Sequence, residues 1–337
     1  MTHDIRLAYI EAPHAERLSA MTFPVYRHLL SMTVQPRHPE QGDASLVQPI
    51  AIGAWSGQAA MGMVLGALPI DTPAHRQRFP EVLSVYTRPD ARRRGIATAL
   101  LAALEEALRR DGFDKVTAVY MTGKPSVEAV ERLLARQDWS APVTRTVTVR
   151  FTVEQALATP WIDKAKFPPG KFEIFPWAEL PQEDREEIYR SNQEARWISP
   201  GLEPWTYDHY GFDTVSSLGL RYKGEVVGWM INHRLSPDTV RITCAFMGRG
   251  LGRRARLVPL ISASIERLWG TECSNCTFVT PVRFKAMVQF IRRRCVPWAG
   301  FVGESRGSEK RLTDSNTVVE SERRPSKHAE RDSQDEV

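Results

Sequence analysis

Hydrophobic and polar positions repeat along this chain in two periods, strand-like and helix-like, and the order of the periods is nearly the same in both halves. In the first half, IRLAYI (5–10) predicts a strand, followed by helical segments to about residue 31. PIAIGAW (49–55) and AAMGMVLGAL (59–68) are apolar runs of strand length that flank Ser56-Gly57-Gln58, a hairpin signal. EVLSVYT (81–87) predicts a further strand, a helix runs from Gly95 to Gly112, and KVTAVYM (115–121) is strand again. Gly112 marks the helix stop because glycine tolerates the left-handed residue that closes a helix. A second helix starts at Pro125-Ser126 and ends near Gln137, and VTRTVTVRFTV (143–153) closes the half with alternating valines and threonines.

The second half reads KFEIFPW (171–177) as strand, a helix over 181–195, and SLGLRYKGEVVGWMINHRL as a hairpin turning at Lys223-Gly224. TVRITCAFM (239–247), a helix over 252–269 that stops at Gly270, NCTFVTP (275–281) and a helix over 283–294 follow. A shift of about 158 residues superposes Gly112 on Gly270 and the flanking elements on one another, which reads as a duplicated α/β unit. TPWIDKAKFPPGK (159–171) interrupts the periodic patterns as a linker would. The expected division is a domain over 1–155, a linker over 156–171, a second domain over 172–312 and a tail over 313–337. The tail has too few large apolar groups to offset its ordering entropy and is expected to be disordered. The fold class expected is α/β, of the α+β mixed-sheet kind, each domain a twisted mixed β-sheet flanked by helices.

Composition narrows the function. A hydrophobic content of 42% and a charged content of 25% describe a globular protein, and no apolar run reaches the length of a membrane span. The first 25 residues lack the pattern of a secretory signal, and Cys244, Cys273, Cys276 and Cys295 have no disulfide-scaffold spacing, so a cytoplasmic setting is expected. The net charge of +5 is modest, and the arginine clusters at 92–94, 253–256 and 292–294 accompany no nucleic-acid motif, so a small polyanion is favoured over nucleic acid. Cys273-Ser274-Asn275-Cys276 has no partner pair of Cys or His, so no metal is expected.

The chemistry concentrates in VYTRPDARRRGIATALL (85–101). Four N–H groups at a helix start have no internal partner, the helix dipole adds positive charge there, and a phosphate fits both. Small residues matter because a Cβ would block the approach of phosphate oxygens. Arg92, Arg93 and Arg94 add charge-assisted hydrogen bonds. Cations at a helix N-terminus oppose the dipole, so a purely structural first turn leaves the three arginines unexplained.

Arg92-Arg93-Arg94-Gly95-Ile96-Ala97 resembles the (Q/R)-x-x-G-x-(G/A) pyrophosphate motif of GNAT-type N-acetyltransferases. VYTRPD resembles the end of that family's fourth strand, and SVEAVERLLARQDW (126–139) its later helix with a trailing aromatic. By order of elements the resemblance covers residues 5–153, and it extends to a tandem, two-domain member of the family. It implies acetyl-CoA, or another acyl-CoA, as co-substrate. The backbone of Val85, Tyr86 and Thr87 would hold the pantetheine arm, and the amides from Arg93 through Gly95, Ile96 and Ala97 to Thr98 would hold the pyrophosphate. Acetyl would then pass directly to a primary amine of a small molecule; a protein or peptide amine, or a non-catalytic CoA-binding scaffold, are the alternatives.

Proton handling departs from the family pattern. Ser126 stands where members often carry Asn, and Leu133 where they carry the Tyr that protonates the leaving thiolate. Tyr86, Tyr120 or water are the remaining candidates for that acid, and Glu81 resembles a base position in some members. In the second half, aligning Arg249 with Arg92 places Gly252 under Gly95 and Arg254 under Ala97, so the repeat reads as a degenerate copy in which Arg254 crowds the cradle. Seven of the nine tryptophans lie from Trp161 onward, in the linker and that half. Trp197, Trp205, Tyr207, His209 and Tyr210 are candidate lining for an acceptor, against the alternative that they pack a covering loop. The sequence leaves oligomeric state open, a homodimer being compatible with it.

Overall fold

The computed structural model describes residues 5–10, 12–32, 48–69, 79–163, 166–248 and 257–312. The elements run β1 (Arg6–Tyr9), α1 (Ala12–Leu18), α2 (Arg27–Met32), β2 (Gln48–Ser56), β3 (Ala59–Leu68), β4 (Glu81–Thr87) and α3 (Ile96–Arg110). Next come β5 (Lys115–Met121), α4 (Val127–Arg136), β6 (Val143–Thr152), α5 (Val153–Leu157), α6 (Pro160–Asp163), β7 (Phe172–Pro176) and α7 (Gln182–Ala195). The rest are β8 (Leu218–Tyr222), β9 (Glu225–Ser236), β10 (Thr239–Met247), α8 (Leu257–Glu266), β11 (Asn275–Pro281), α9 (Lys285–Phe290) and β12 (Phe301–Arg311). The helix expected over 283–294 is shorter, and a π-helical turn, Ile291–Cys295, continues it. The stretches 249–256 and 313–337, which hold the second arginine-glycine turn and the expected tail, lie outside the described residues.

The chain forms two units, and their boundaries differ from the sequential division expected above. The first unit takes residues 1–119, 128–142 and 307–337, and the second takes 120–127 and 143–306. The strand over 143–153, read as closing the first domain, therefore belongs to the second unit, and the chain's last strand ends in the first. The linker expected over 156–171 contains α6 and lies inside the second unit. Strand periodicity specifies which face of a strand is buried, not which sheet receives it.

In the first unit β1, β2, β3 and β4 are antiparallel neighbours, and β5 runs parallel to β4. Side chains alternate across this sheet. Met63 and Leu65 of β3 join Leu18, Leu29 and Leu30 in one core beneath α1 and α2. The other face receives α3, whose buried Leu100, Leu104 and Leu108 recur at the spacing of one helix face. Gly62 sits where a Cβ would lie 2.5 Å from the Tyr86 carbonyl oxygen, so glycine there lets β4 approach. Residues 307–311 of β12 complete this unit. Ser140 N–H donates to Glu309 O (2.8 Å), Leu312 N–H to Asp114 O (2.7 Å), and Lys310 forms an ion pair with buried Glu105 (2.6 Å). Glu105 also accepts from Trp139 Nε1 at 2.7 Å, which draws the segment after α4 into the same anchor.

In the second unit β7, β8, β9 and β10 are antiparallel, and β11 runs parallel to β10. β6 pairs antiparallel with β11 from Asn275↔Thr152 to Pro281↔Thr146. Its end passes into α5 through a capping box: Gln155 N–H donates to Thr152 Oγ1 and Thr152 N–H to Gln155 Oε1. Trp177, Trp229 and Phe246 build one core of this unit; Phe151, Ile265 and Ile291 belong to another. Asn232, wholly buried, donates through Nδ2 to Ser216 and Ser264, and Asp213 accepts from Ser216 and Arg234.

Candidate active site

β4 and β5 pair for two residues, Glu81↔Thr117 and Val82↔Ala118, and their parallel register goes no further. On the other side of β4 the register with β3 slips between Leu65 and Gly66, leaving Leu83 as an extra residue. A bulge of this kind bends its strand. From Leu83 to Thr87 one edge of β4 is thus released from parallel pairing while the other stays in the β3 ladder.

The strand exit is then pinned. Arg88 N–H donates to Met61 O (2.9 Å), and its guanidinium reaches Ala60 O (3.3 Å) and grips Asp90 with two bonds of 3.0 and 2.5 Å. That grip holds the Asp90 carboxyl below the usual carboxylate range. A short turn over Pro89–Ala91 buries Ala91, and Arg92 Nε donates to Thr87 O at 3.3 Å. Arg93 (φ 62°) and Gly95 (φ 76°) both adopt the left-handed conformation, which turns the chain sharply into α3. The first helical bond runs from Ala99 N–H to Gly95 O (2.9 Å). No backbone acceptor among the described residues takes the amides of Arg93, Arg94, Gly95, Ile96, Ala97 or Thr98. An added Cβ at Gly95 would meet nothing within 4 Å, so the space over the turn is open.

Six consecutive free amides, a helix N-terminus and exposed Arg92, Arg93 and Arg94 converge there. Successive N–H groups of this kind form an anion-binding concavity. The strand above it carries Val85, Tyr86 and Thr87, all half-buried, and Thr87 Oγ1 is buried without a hydrogen-bond partner. These residues fit a diphosphate-bearing donor. Gln137 Nε2 donates to Thr98 O at 3.1 Å and so ties the end of α4 to the first turn of α3.

The proton-handling candidates divide between the units. Tyr86 packs against the core under α1 and α2. Glu81, at the start of the same strand, raises the pKa of Tyr26. Burial is the larger cause of that rise, and the two together keep the Tyr26 phenol protonated. Tyr26 follows Pro24 in a short turn, and no sequence pattern links it to Glu81; the charge of Glu81 reaches it only through the fold. Tyr120 and Ser126 belong to the segment 120–127 of the second unit.

All five aromatic acceptor candidates lie in the second unit. Trp197, half-buried, packs on Trp229 (5.8 Å) and Phe246 (5.5 Å) against a core of the unit and donates to Ser191 Oγ. Trp205 meets Tyr189 edge-on at 5.1 Å. Tyr207 donates to Gly201 O at 2.9 Å and borders a cavity. The side chains of His209 and Tyr210 lie outside the described residues. The four cysteines are buried, and burial pushes the Cys244, Cys276 and Cys295 thiols up to about 12. Among the described residues no group of three or more His, Cys, Asp or Glu side chains is gathered as a metal site.

Fold and site together define a class: a mixed-sheet α/β domain whose central parallel strands part ahead of a helix with free N-terminal amides. The model of the acetyltransferase (GNAT) family matches residues 17–134. Among solved structures, a tandem GNAT protein from the clavulanic acid biosynthesis pathway is 15% identical, covering 93% of this chain and 100% of its own, with a TM-score of 0.56. A GCN5-related N-acetyltransferase from Sphaerobacter thermophilus is 16% identical over 82% of this chain and 84% of its own, at a TM-score of 0.50. The GCN5-related glucosamine N-acetyltransferase region of a fungal multi-domain β-N-acetylglucosaminidase is 12% identical over 92% of this chain, 38% of that one, at 0.56. These likenesses establish a shared fold. No curated protein matches the chain in sequence.

Proposed function

We propose that the chain is an acyl-CoA-dependent N-acyltransferase, moving acetyl from acetyl-CoA directly to a primary amine of a small molecule, with the donor held by the first unit. The observation that carries this reading is the run of unpaired amides from Arg93 to Thr98 at the foot of a strand released from its parallel neighbour. A pyrophosphate accepts from those amides, and Arg93 and Arg94 neutralise its charge. The backbone of Val85, Tyr86 and Thr87 orients the pantetheine arm along the strand. The thioester supplies an activated acyl carbonyl; the protein supplies orientation and proton transfer. Glu81 is assigned the amine proton. Tyr86 is assigned the leaving thiolate. Four buried cysteines support a reducing, cytoplasmic setting.

Thiol release from acetyl-CoA in the presence of an amine panel tests catalysis. The protein's own buried thiols keep the background low. Calorimetry with acetyl-CoA tests the site: Gly95→Glu places a carboxylate in the cradle, and Arg94→Ala, at an exposed position, should weaken binding about tenfold through a lost charge-assisted contact. Unchanged affinity in both variants overturns the assignment. Binding without turnover on any amine would point to a scaffold, and turnover restricted to peptide amines to a protein or peptide N-acetyltransferase.

A further inference from the structure

The second unit contains a cavity of about 710 Å³, within the range of sites for drug-sized ligands. It opens where β10 and β11 part: their parallel register ends at Ile242↔Phe278, and Thr243, Ala245, Val279 and Thr280 line the space beyond. Aromatic side chains form part of its wall. Trp161 meets Phe290 edge-on at 5.4 Å, and Phe151 meets Trp298 at 5.2 Å, with Ile261 and Met287 along the wall.

The polar lining is one-sided in charge. Arg241, Arg283 and Lys285 border the cavity, and none of its lining residues is acidic. Arg241 and Arg283 are both close enough to Tyr207 to act on its phenol electrostatically. Arg283 is steadied by Pro200 O (3.2 Å) and by the Phe284 ring, while Arg241 and Lys285 have no acidic partner among the described residues. Apolar walls paired with unneutralised cations complement a molecule with a hydrocarbon body and an anionic end. A CoA diphosphate needs a cradle of small residues as well, and in the sequence Arg254 stands where the first unit has Ala97.

We infer that this cavity is a binding site for a long-chain carboxylate, its hydrocarbon among Phe151, Trp161, Phe290 and Trp298 and its carboxylate at Arg241 and Lys285. The site is separate from the donor site of the first unit and does not depend on the activity proposed for it. The two parts have distinct consequences. The chain's affinity rises with hydrocarbon length, whereas the cations discriminate among end groups.

Calorimetry on the full chain with dodecanoate, dodecanol and dodecylamine tests this. Dodecanoate should bind at least about tenfold more tightly than either comparator, the scale of a charge-assisted hydrogen bond. Ala245→Trp, which fills the cleft, should weaken dodecanoate about tenfold or more while acetyl-CoA affinity stays within about twofold. Because Ala245→Trp could impair folding, the exposed pair Arg241→Ala and Lys285→Ala provides an independent arm: together they should erase the preference for dodecanoate over dodecanol. Gly95→Glu should leave dodecanoate binding unchanged. Equal affinity for the three probes overturns the proposal, as does dodecanoate binding lost with Gly95→Glu. So does acetyl-CoA binding that Ala245→Trp removes and Gly95→Glu spares, which would make the cleft a thioester site.

Discussion

Lys310 comes from the last described strand, yet it neutralises a carboxylate on the first unit's central helix. Its Nζ lies 2.6 Å from Glu105 Oε2, with the Glu105 side chain 5% exposed and the Lys310 side chain 17% exposed. At an effective dielectric near 20, such a pair attracts by ~6 kcal/mol before desolvation is subtracted. Removing one member of a buried pair costs about 3–5 kcal/mol, because the other charge stays behind. Water can enter where the lysine was, so Lys310→Ala should fall at the lower end, ~3 kcal/mol, or about two orders of magnitude in a local opening equilibrium. Amide hydrogen exchange reads that opening at Ser140, Glu309 and Leu312, whose N–H groups bond Glu309 O, Ser140 Oγ and Asp114 O. Each should exchange roughly a hundredfold faster in the variant. The double variant Glu105→Gln with Lys310→Met removes both charges and keeps an acceptor for Trp139 Nε1, so its exchange should return to within about tenfold of the parent. If single and double variants open equally, an orphaned carboxylate is not what destabilises the strand. If neither opens, the ion pair does not hold 307–311 at all.

Arg93 carries a side chain at φ 62°, so Arg93→Gly should raise stability by about 1 kcal/mol in urea unfolding while weakening acetyl-CoA binding through the lost cation. Tyr26 has a raised pKa in the folded state. Its contribution to stability is complete below the unfolded value near 10 and declines as pH rises from there through the folded pKa, because the unfolded chain ionises first. Tyr26→Phe should therefore flatten the loss of stability above pH ~10, and an unchanged slope would refute the assignment. Burial holds Cys244, Cys276 and Cys295 at about 12, so a thiol reagent at neutral pH should modify the native protein slowly and all four cysteines rapidly in urea. Rapid labelling of the native chain would contradict the burial.

The candidate donor site was legible in the sequence because it is local. The strand end, the two left-handed residues and the first turn of α3 all fall within about a dozen consecutive positions, and their roles depend on backbone amides that any strand–turn–helix of this kind exposes. β10 and β11 were legible for a similar reason: TVRITCAFM and NCTFVTP occupy the ranges read from their apolar runs. β12 was not. FVGESRGSEKR has few apolar side chains and two interior glycines, and its ordering depends on partners such as Ser140, Asp114 and Glu105, which precede it by well over a hundred residues.

What the sequence alone determined is the type and order of most elements, the doubled arrangement and the strand–turn–helix at Gly95. All of these follow from periodicity, glycine conformation and helix-end electrostatics over short spans. Tertiary structure decided which unit receives β6 and the end of β12, that Trp197 packs against a core, that the charge of Glu81 reaches Tyr26, and that cations border an apolar cavity between β10 and β11. Strand exchange leaves the local pattern unchanged because a strand buries the same face in either unit. Only long-range partners such as Glu105 and Lys310 distinguish the two.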